Sequence, residues 1–342
     1  MLNRFSAFLD EHQQLLLTTH ENPDGDGIGA AIGLAHYLEF LGKRARIVVT
    51  PSLPDNLRFL DVGGRIEVFD PMGSHRDLAL WPDGWVVIDA SEPHRLGNLY
   101  PVFEKTKIVR VCLDHHLKDH PQGFDEEFTD STATASGELV YDLAIKRMPF
   151  PLPMEMANAL YVALVSDTGN FRHSNSTPKV HRMAAQLIEQ GVKPAYIYQS
   201  LYHQDTQSKL CLYGRAFSNL RVIDHGRFAY VSVSLADLIA CGARHEDLDG
   251  LVEQPARLKG VEVAGLLYET EDGRIKVSLR SKERVDVNAI CRHFGGGGHR
   301  LASGAKLAAS MEEVQHLLET TVQAQIRQDL SSISNHETAS LR

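Results

Sequence analysis

The strongest constraint on the fold is an alternation of two patterns. Short apolar runs at 15–19, 45–49, 85–90 and 108–113 read as buried strands. Longer stretches with apolar residues at three- and four-residue spacing read as helices. These are 28–41, ending at Gly42, then 132–146 and 154–165, and a last one that starts at Thr177-Pro178 and ends at Gly191. Strands alternating with helices predict a mostly parallel sheet covered by helices on both faces. In such sheets, sites form at the carboxyl ends of the strands.

The chemical residues collect at those ends. The first run leads into HENPDGD, where His20, Asp24 and Asp26 crowd together beside Glu21. Pro23, Gly25 and Gly27 argue against regular structure there and for a turn that aims the three side chains at one point. The third run ends in VIDAS, with Asp89. The fourth leads into LDHH, with Asp114, His115 and His116, and Asp167 follows in SDTGNF. Clustered carboxylates repel one another unless something positive sits among them. Carboxylates with imidazoles suit borderline-to-hard divalent metals such as manganese. Six candidate ligands, His20, Asp24, Asp26, Asp89, His115 and Asp167, exceed the needs of one ion and suggest two. Taken singly, Asp26 or Asp89 would be read as a helix cap. His75, His94, His120, His181, His203 and His225 are read as surface or hydrogen-bonded histidines with no further role.

Beyond residues 194–209, which are polar and look like a connector, the texture changes. Runs at 220–223, 228–233, 261–268 and 275–280 are strand-like. The turns Asp224-His225-Gly226 and Glu271-Asp272-Gly273 predict two hairpins. Ser310-Met311-Glu312-Glu313 is a capping box opening a last helix to about Leu330, followed by a polar, frayed tail. Four consecutive glycines, 295–298, are entropically costly to order. Their benefit is access, because a backbone without Cβ atoms lets N–H groups surround an anion. Arg280, Lys282, Arg284, Arg292 and Arg300 outnumber Glu283 and Asp286 nearby, which with His299 suits phosphate recognition.

Composition narrows the function. The 342 residues carry 35 basic and 44 acidic side chains, a net charge of -9, which disfavours long polyanions. No apolar run approaches membrane-spanning length, and residues 1–17 lack the apolar core of a signal peptide. The four cysteines form no C-x-x-C pair, so neither a zinc site nor a disulfide is expected. A reduced, cytoplasmic protein fits best.

The segments HENPDGD, VIDAS, LDHH and SDTGNF resemble, in order and spacing, the motifs of the DHH phosphoesterase family. The GGGGH run resembles that family's DHH-associated C-terminal domain. The resemblance implies an α/β fold of two domains: a mostly parallel sheet flanked by helices, and a smaller α/β substrate-binding domain, with the active site in the cleft between. The boundaries expected are a catalytic metal-binding domain at 1–192, a linker at 193–212, a substrate-binding domain at 213–330 and a polar tail at 331–342. It implies two divalent ions, Mn2+ foremost, with Mg2+ or Co2+ as alternatives. His20, Asp24 and Asp89 would hold one; Asp26, Asp89, His115 and Asp167 the other. His116 would face the substrate, and Asp114 would orient its neighbours. VSLRS resembles the strand partnering the glycine run, which makes Arg280 and Ser281 candidate substrate contacts along with Gly296, Gly297, Gly298 and His299.

The reaction implied is two-metal-assisted hydroxide attack on a phosphoester. A RecJ-type single-strand DNA exonuclease is disfavoured by chain length and charge. Family II pyrophosphatases lack the glycine run, and membrane-bound cyclic dinucleotide phosphodiesterases carry segments absent here. The stand-alone oligoribonuclease and 3′-phosphoadenosine 5′-phosphate (pAp) phosphatase group remains. It implies short RNAs, dinucleotides or pAp as partners, no membrane, no long duplex nucleic acid, and compatibility with a homodimer. Linear pApA or cyclic di-AMP phosphodiesterase activity is an alternative, and a non-catalytic nucleotide sensor is another of a different class.

Overall fold

The computed structural model describes residues 1–116 and 123–340, with side chains to residue 331; His120 lies outside the described residues. The chain divides into two compact units, Met1–Gln204 and Asp205–Arg342.

In chain order the first unit comprises α1 (Leu2–Glu11), β1 (Gln14–Thr18), α2 (Gly25–Phe40), β2 (Arg44–Val49), β3 (Ile66–Val68), β4 (Gly84–Ile88), α3 (Tyr100–Lys105), β5 (Val109–Asp114) and β6 (Glu126–Thr129), then α4 (Ser136–Ala144), α5 (Met154–Asp167), α6 (Pro178–Glu189) and α7 (Pro194–Tyr202). The six strands form one sheet in the order β3-β2-β1-β4-β5-β6, and every pair is parallel. The chain runs outward from β1 through β2 to β3, then returns to β4 on the other side of β1. The switch point therefore lies between β1 and β4, where open parallel sheets bind ligands. Apolar side chains alternate to both faces. Leu15, Leu17, Val86 and Ile88 join the larger core, and Leu16, Trp85 and Val87 join the other.

Helix α2 starts at Gly25, three residues before the apolar pattern does, so the HENPDGD segment is less irregular than its glycines suggest. Asp24 caps it, accepting from the N–H groups of Asp26 and Gly27. Gly25, Gly29 and Gly33 then face α5. A Cβ on Gly25 would lie 2.7 Å from Ser166 Oγ, and one on Gly33 would lie 2.8 Å from Leu160 Cδ2. The glycine stripe thus brings α2 and α5 together, and with them the residues at their ends.

The second unit comprises α8 (Gln207–Ser218), β7 (Arg221–Ile223), β8 (Phe228–Val233), α9 (Leu235–Cys241), β9 (Val263–Glu269), β10 (Ile275–Ser281), α10 (Val287–His293), β11 (Gly297–His299), β12 (Ala302–Leu307) and α11 (Met311–Ser340). Its mixed sheet runs β11-β12-β10-β9-β8-β7, with β8 and β9 parallel and the other neighbours antiparallel. Both expected hairpins are present. Residues 194–209, polar in sequence, are largely helical. Ser310 and Glu313 form the expected capping box, but α11 continues past Leu330 to Ser340, since no glycine or proline interrupts it.

One expectation is overturned. Cys211 of α8 and Cys241 of α9 form a disulfide, 30 residues apart with Cα atoms 5.6 Å apart. The bond joins two helices that pack together, a proximity that sequence spacing does not reveal. Cys112 and Cys291 are buried and take no part in that disulfide. No helix among the described residues is long and apolar enough to cross a membrane.

Candidate active site

Strands β1, β4 and β5 end side by side, and their carboxyl ends supply most of the acidic cluster. His20 follows β1, and its Nδ1 lies 2.8 Å from the Glu21 carbonyl, which fixes the ring and turns Nε2 inward. That Nε2 lies 3.6 Å from both Asp24 Oδ2 and Asp89 Oδ2. His115, after β5, places Nε2 at 3.7 Å from Asp26 Oδ2, 3.5 Å from Asp89 Oδ1 and 2.9 Å from Asp167 Oδ2. Three overlapping ligand sets result among the described residues: His20 with Asp24 and Asp89, Asp26 with His115 and Asp167, and Asp89 with Asp114, His115 and His116; Asp89 reaches toward both His20 and His115.

Asp89 is 2% exposed and has a left-handed backbone, φ 60°. Asn22, Asn170 and Phe171 in the neighbouring loops share this conformation. Such strain in non-glycine residues persists only where the surroundings enforce it, and it concentrates at functional sites. Asp26 is fully buried. The N-terminus of α4 cups its carboxylate, Ser136 N donating to Oδ2 at 2.6 Å and Gly137 N to Oδ1 at 2.9 Å.

Electrostatics show what the cluster lacks. Burial alone would lower the histidine pKa values, but the carboxylates around them win. The Asp24 and Asp89 carboxylates push His20 up to about 10, and those of Asp167 and Asp89 push His115 up to about 11. Burial and the charge of Asp89 hold Asp26 well above the usual carboxylate range. Burial also raises Asp167. Asp24 is lowered: burial would raise it, but His20 and the N–H groups of Gly27 and Asp26 together outweigh burial.

A divalent cation fits these residues. Asp114 Oδ2 is buried without a hydrogen-bond partner. The His-to-carboxylate gaps of 3.5–3.7 Å exceed a hydrogen bond. They are within reach of two ligands sharing one ion, since bonds of about 2.0–2.2 Å span at most roughly 4.3 Å. His20, Asp24 and Asp89 would hold one ion; Asp26, Asp89, His115 and Asp167 would hold another.

His116 is the most exposed histidine of the cluster, its Nδ1 3.4 Å from Asp89 Oδ1. Its Nδ1 hydrogen-bonds Asp114 Oδ1 at 2.8 Å, which leaves Nε2 available, and its side chain is 46% exposed. The bond to Asp114 raises its pKa. Asp114 Oδ1 also accepts from the N–H groups of His115 and His116, so it locks the LDHH turn. Among the remaining histidines, His75 is buried between Glu67 and the Asp70 N–H, and His181 stacks on Phe171.

Sequence reading did not single out the residues that hold Asp26 in place. Buried Glu138 accepts from Thr134 N at 2.8 Å and pairs with Lys179 at 2.7 Å, bracing the turn that presents Ser136 and Gly137. Thr134 Oγ1 donates to the Asn175 carbonyl, and Asn175 Nδ2 donates to the Asp167 carbonyl at 3.1 Å. The available signal was the glutamate in the first turn of a helix, an ordinary capping position.

In the second unit, Arg280 on β10 and His299 on β11 both stand opposite Ala302 of β12, so they share a face of the sheet. Arg280 Nε is 4.0 Å from Glu253 Oε1. Ser281 alternates away from Arg280, and its Oγ accepts from Val285 N. The glycines divide by role. A Cβ on Gly296 or Gly298 would strike the β12 backbone, whereas one on Gly297 would meet nothing closer than 4.0 Å. Close strand pairing thus demands two of them. Arg284 and Arg300 are engaged locally, with Glu262 and with the carbonyls of Glu283 and Arg284.

The N-terminal domain of the DHH family matches residues 14–164, and the DHHA1 domain matches residues 228–327. The bifunctional oligoribonuclease and PAP phosphatase NrnA of Thermus thermophilus is 33% identical over 295 residues, 86% of this chain and 84% of that protein. The chain belongs to the DHH family. The protein of the same name from Bacillus subtilis is 27% identical over 310 residues, 90% of this DHH chain and 93% of that one. A solved exopolyphosphatase-related protein from Bacteroides fragilis superposes with a TM-score of 0.85 at 25% identity, covering 94% of this chain and 95% of its own. This DHH protein is therefore a phosphoesterase-type hydrolase, and the strand-end cluster is where its divalent metal chemistry is to be sought.

Proposed function

We propose that the protein is a manganese-dependent phosphoesterase that hydrolyses short oligoribonucleotides and dinucleotides and removes a phosphate from pAp. One observation carries the reading: His20 and His115, each with its own carboxylates, both reach toward the strained Asp89. The likeness to proteins named oligoribonuclease and PAP phosphatase over most of both chains supports the substrate class.

Divalent ions bound there supply Lewis-acid activation of water and charge neutralisation at phosphorus. The chain's own residues do the rest. Ser136 and Gly137 hold both oxygens of Asp26, so that ligand needs no reorganisation. Asp114 orients His116 and favours its protonated form, leaving Nε2 to donate to a phosphoryl or leaving-group oxygen. Arg280 and His299 hold a phosphate elsewhere on the substrate, Arg280 by a bidentate contact. Ser281 and the backbone of Gly296, Gly297 and Gly298 complete the proposed contact set.

The test is a metal-dependent phosphatase assay with pAp beside a dinucleotide cleavage assay. Turnover of both, highest with Mn2+ and lost on chelation, is expected. Activity on cyclic di-AMP or pApA alone would redirect the substrate assignment. Tight nucleotide binding without turnover under any divalent ion would make the protein a sensor. His299→Ala should raise KM roughly ten- to a hundredfold, the worth of a charge-assisted hydrogen bond, and leave metal content unchanged.

A further inference from the structure

We propose that the second unit carries a further substrate subsite at Lys276, Lys306 and Tyr268, which binds a nucleotide beyond the phosphate gripped by Arg280 and His299. This rests on the oligoribonucleotide reading above and sets how that activity depends on substrate length.

The register of the sheet brings these residues together. On β10, Lys276, Ser278 and Arg280 alternate with buried Ile275, Val277 and Leu279, so the first three share the face that is not packed into the unit's larger core. Three cross-strand rows lie on that face. Arg280, Ala302 and His299 make the first row; Ser278, Gly304 and Gly297 the second; Tyr268, Lys276 and Lys306 the third. On β10, β12 and β11 the middle row holds no side chain larger than a hydroxymethyl group, so it is a flat floor there, bounded on β9 by buried Leu266. At about 3.3–3.4 Å per residue, the outer rows lie roughly 13 Å apart. That exceeds the ~3.4 Å rise of one stacked nucleotide, so the third row meets a different part of a bound strand from the first.

The third row has a feature that calls for an anion. Lys276 and Lys306 stand directly opposite each other on paired strands. Like charges in that position repel and destabilise a sheet. Lys306 is partly offset by Asp272 at 2.9 Å, which Arg274 shares at 3.4 Å. Lys276 makes no ion pair with a carboxylate among the described residues. Its Nζ lies over the Tyr268 ring, 5.6 Å from the centroid. A cavity of about 880 Å³ opens here, lined by these three residues, His245 and the backbone of Gly295 and Gly296. Glu271 and Asp272 also line the cavity, Asp272 engaged by Lys306 and Arg274. A phosphodiester between the two ammonium groups would relieve their repulsion, and the part of the Tyr268 ring left uncovered by the core beneath it and by His245 would stack a base. In a chain of net charge -9, a cationic row over a glycine floor is not general surface solvation.

The test is fluorescence-anisotropy binding of nuclease-resistant phosphorothioate RNAs of two and five nucleotides to the full chain. Wild type is compared with Lys276→Gln, Lys306→Gln, the double variant and Tyr268→Leu. The double variant should bind the pentanucleotide about tenfold more weakly, with the dinucleotide changed less than twofold. The salt dependence of pentanucleotide binding should flatten by about 0.7 in log–log slope, the counterion release of one phosphate on a single strand. Lys276→Gln should melt no lower than wild type, because it removes a like-charge neighbour and breaks no ion pair with a carboxylate among the described residues; a clearly lower melt would overturn the repulsion argument. Equal weakening for both lengths, or unchanged pentanucleotide affinity and salt slope, would overturn the subsite. A wild type that bound neither RNA would overturn the oligoribonucleotide reading itself, and the subsite with it.

Discussion

Replacing Lys179 with methionine should loosen the metal site from the far side of α4. Lys179 Nζ contacts Glu138 Oε1 at 2.7 Å and also pairs with Asp142. Glu138 is 3% exposed, and its other oxygen holds Thr134 N, one turn from the two N–H groups that cradle Asp26. Breaking a buried ion pair costs about 3–5 kcal/mol when both ends are buried. The lysine side chain is 48% exposed, so solvent screening cuts this to roughly 1–2 kcal/mol. For a unit of this size that is a fall in Tm of about 3–6 °C. Removing a brace behind a metal ligand should also weaken ion binding, by about ten- to a hundredfold. Calorimetric Mn2+ titration beside thermal melts measures both. Lys179→Arg should restore ion affinity, whereas Asp142→Asn should lower Tm and leave ion affinity near wild type. If Lys179→Met melted early but bound Mn2+ like wild type, the chain of contacts from Glu138 to Asp26 would play no part in holding the metal.

Three further outcomes follow from the same geometry. In the metal-free protein His20 and His115 are raised to about 10 and 11 from 6.5, so their stabilisation is full below about pH 6.5 and fades as pH climbs through those values. Ions need neutral imidazole, so Mn2+ binding should tighten from pH 7 to 9 and release about two protons; calorimetry that found no buffer-dependent heat would contradict this. Asp89→Ala should leave less than about a tenth of wild-type kcat, a barrier rise above roughly 1.4 kcal/mol, because Asp89 reaches toward both ligand sets; a milder effect in steady-state assays would remove its bridging role. Reducing the Cys211–Cys241 bond, or Cys211→Ser, should lower stability by up to about 3–4 kcal/mol, the loop entropy of its 30-residue separation; mass spectrometry showing free thiols in the untreated protein would mean the bond does not form.

Much of the site was legible because its side chains sit where parallel sheets put ligands, just past strands whose apolar runs are unmistakable. His20, Asp89, Asp114, His115 and His116 follow β1, β4 and β5 directly. What escaped notice was short or depended on partners distant in sequence. β3 has three residues, and β6 carries Glu126 and Glu127, so neither shows an apolar run. β11 is glycine and histidine alone, which read as a loop because its strand character comes only from pairing with β12. The early start of α2 was hidden because Gly25 and Gly27, poor helix formers, are required by close packing against Ser166 and Thr19. The Cys211–Cys241 bond and the Lys179–Glu138 brace each join separate helices, and pattern within one segment cannot show such contacts.

The central claim is that two divalent ions share Asp89. Anomalous diffraction at the manganese edge, on crystals grown with Mn2+, tests it most directly. The account predicts two peaks about 3.5–4 Å apart, one against His20, Asp24 and Asp89, the other against Asp26, Asp89, His115 and Asp167. A single peak in crystals of active enzyme, or two peaks with Asp89 bound to neither, would contradict it.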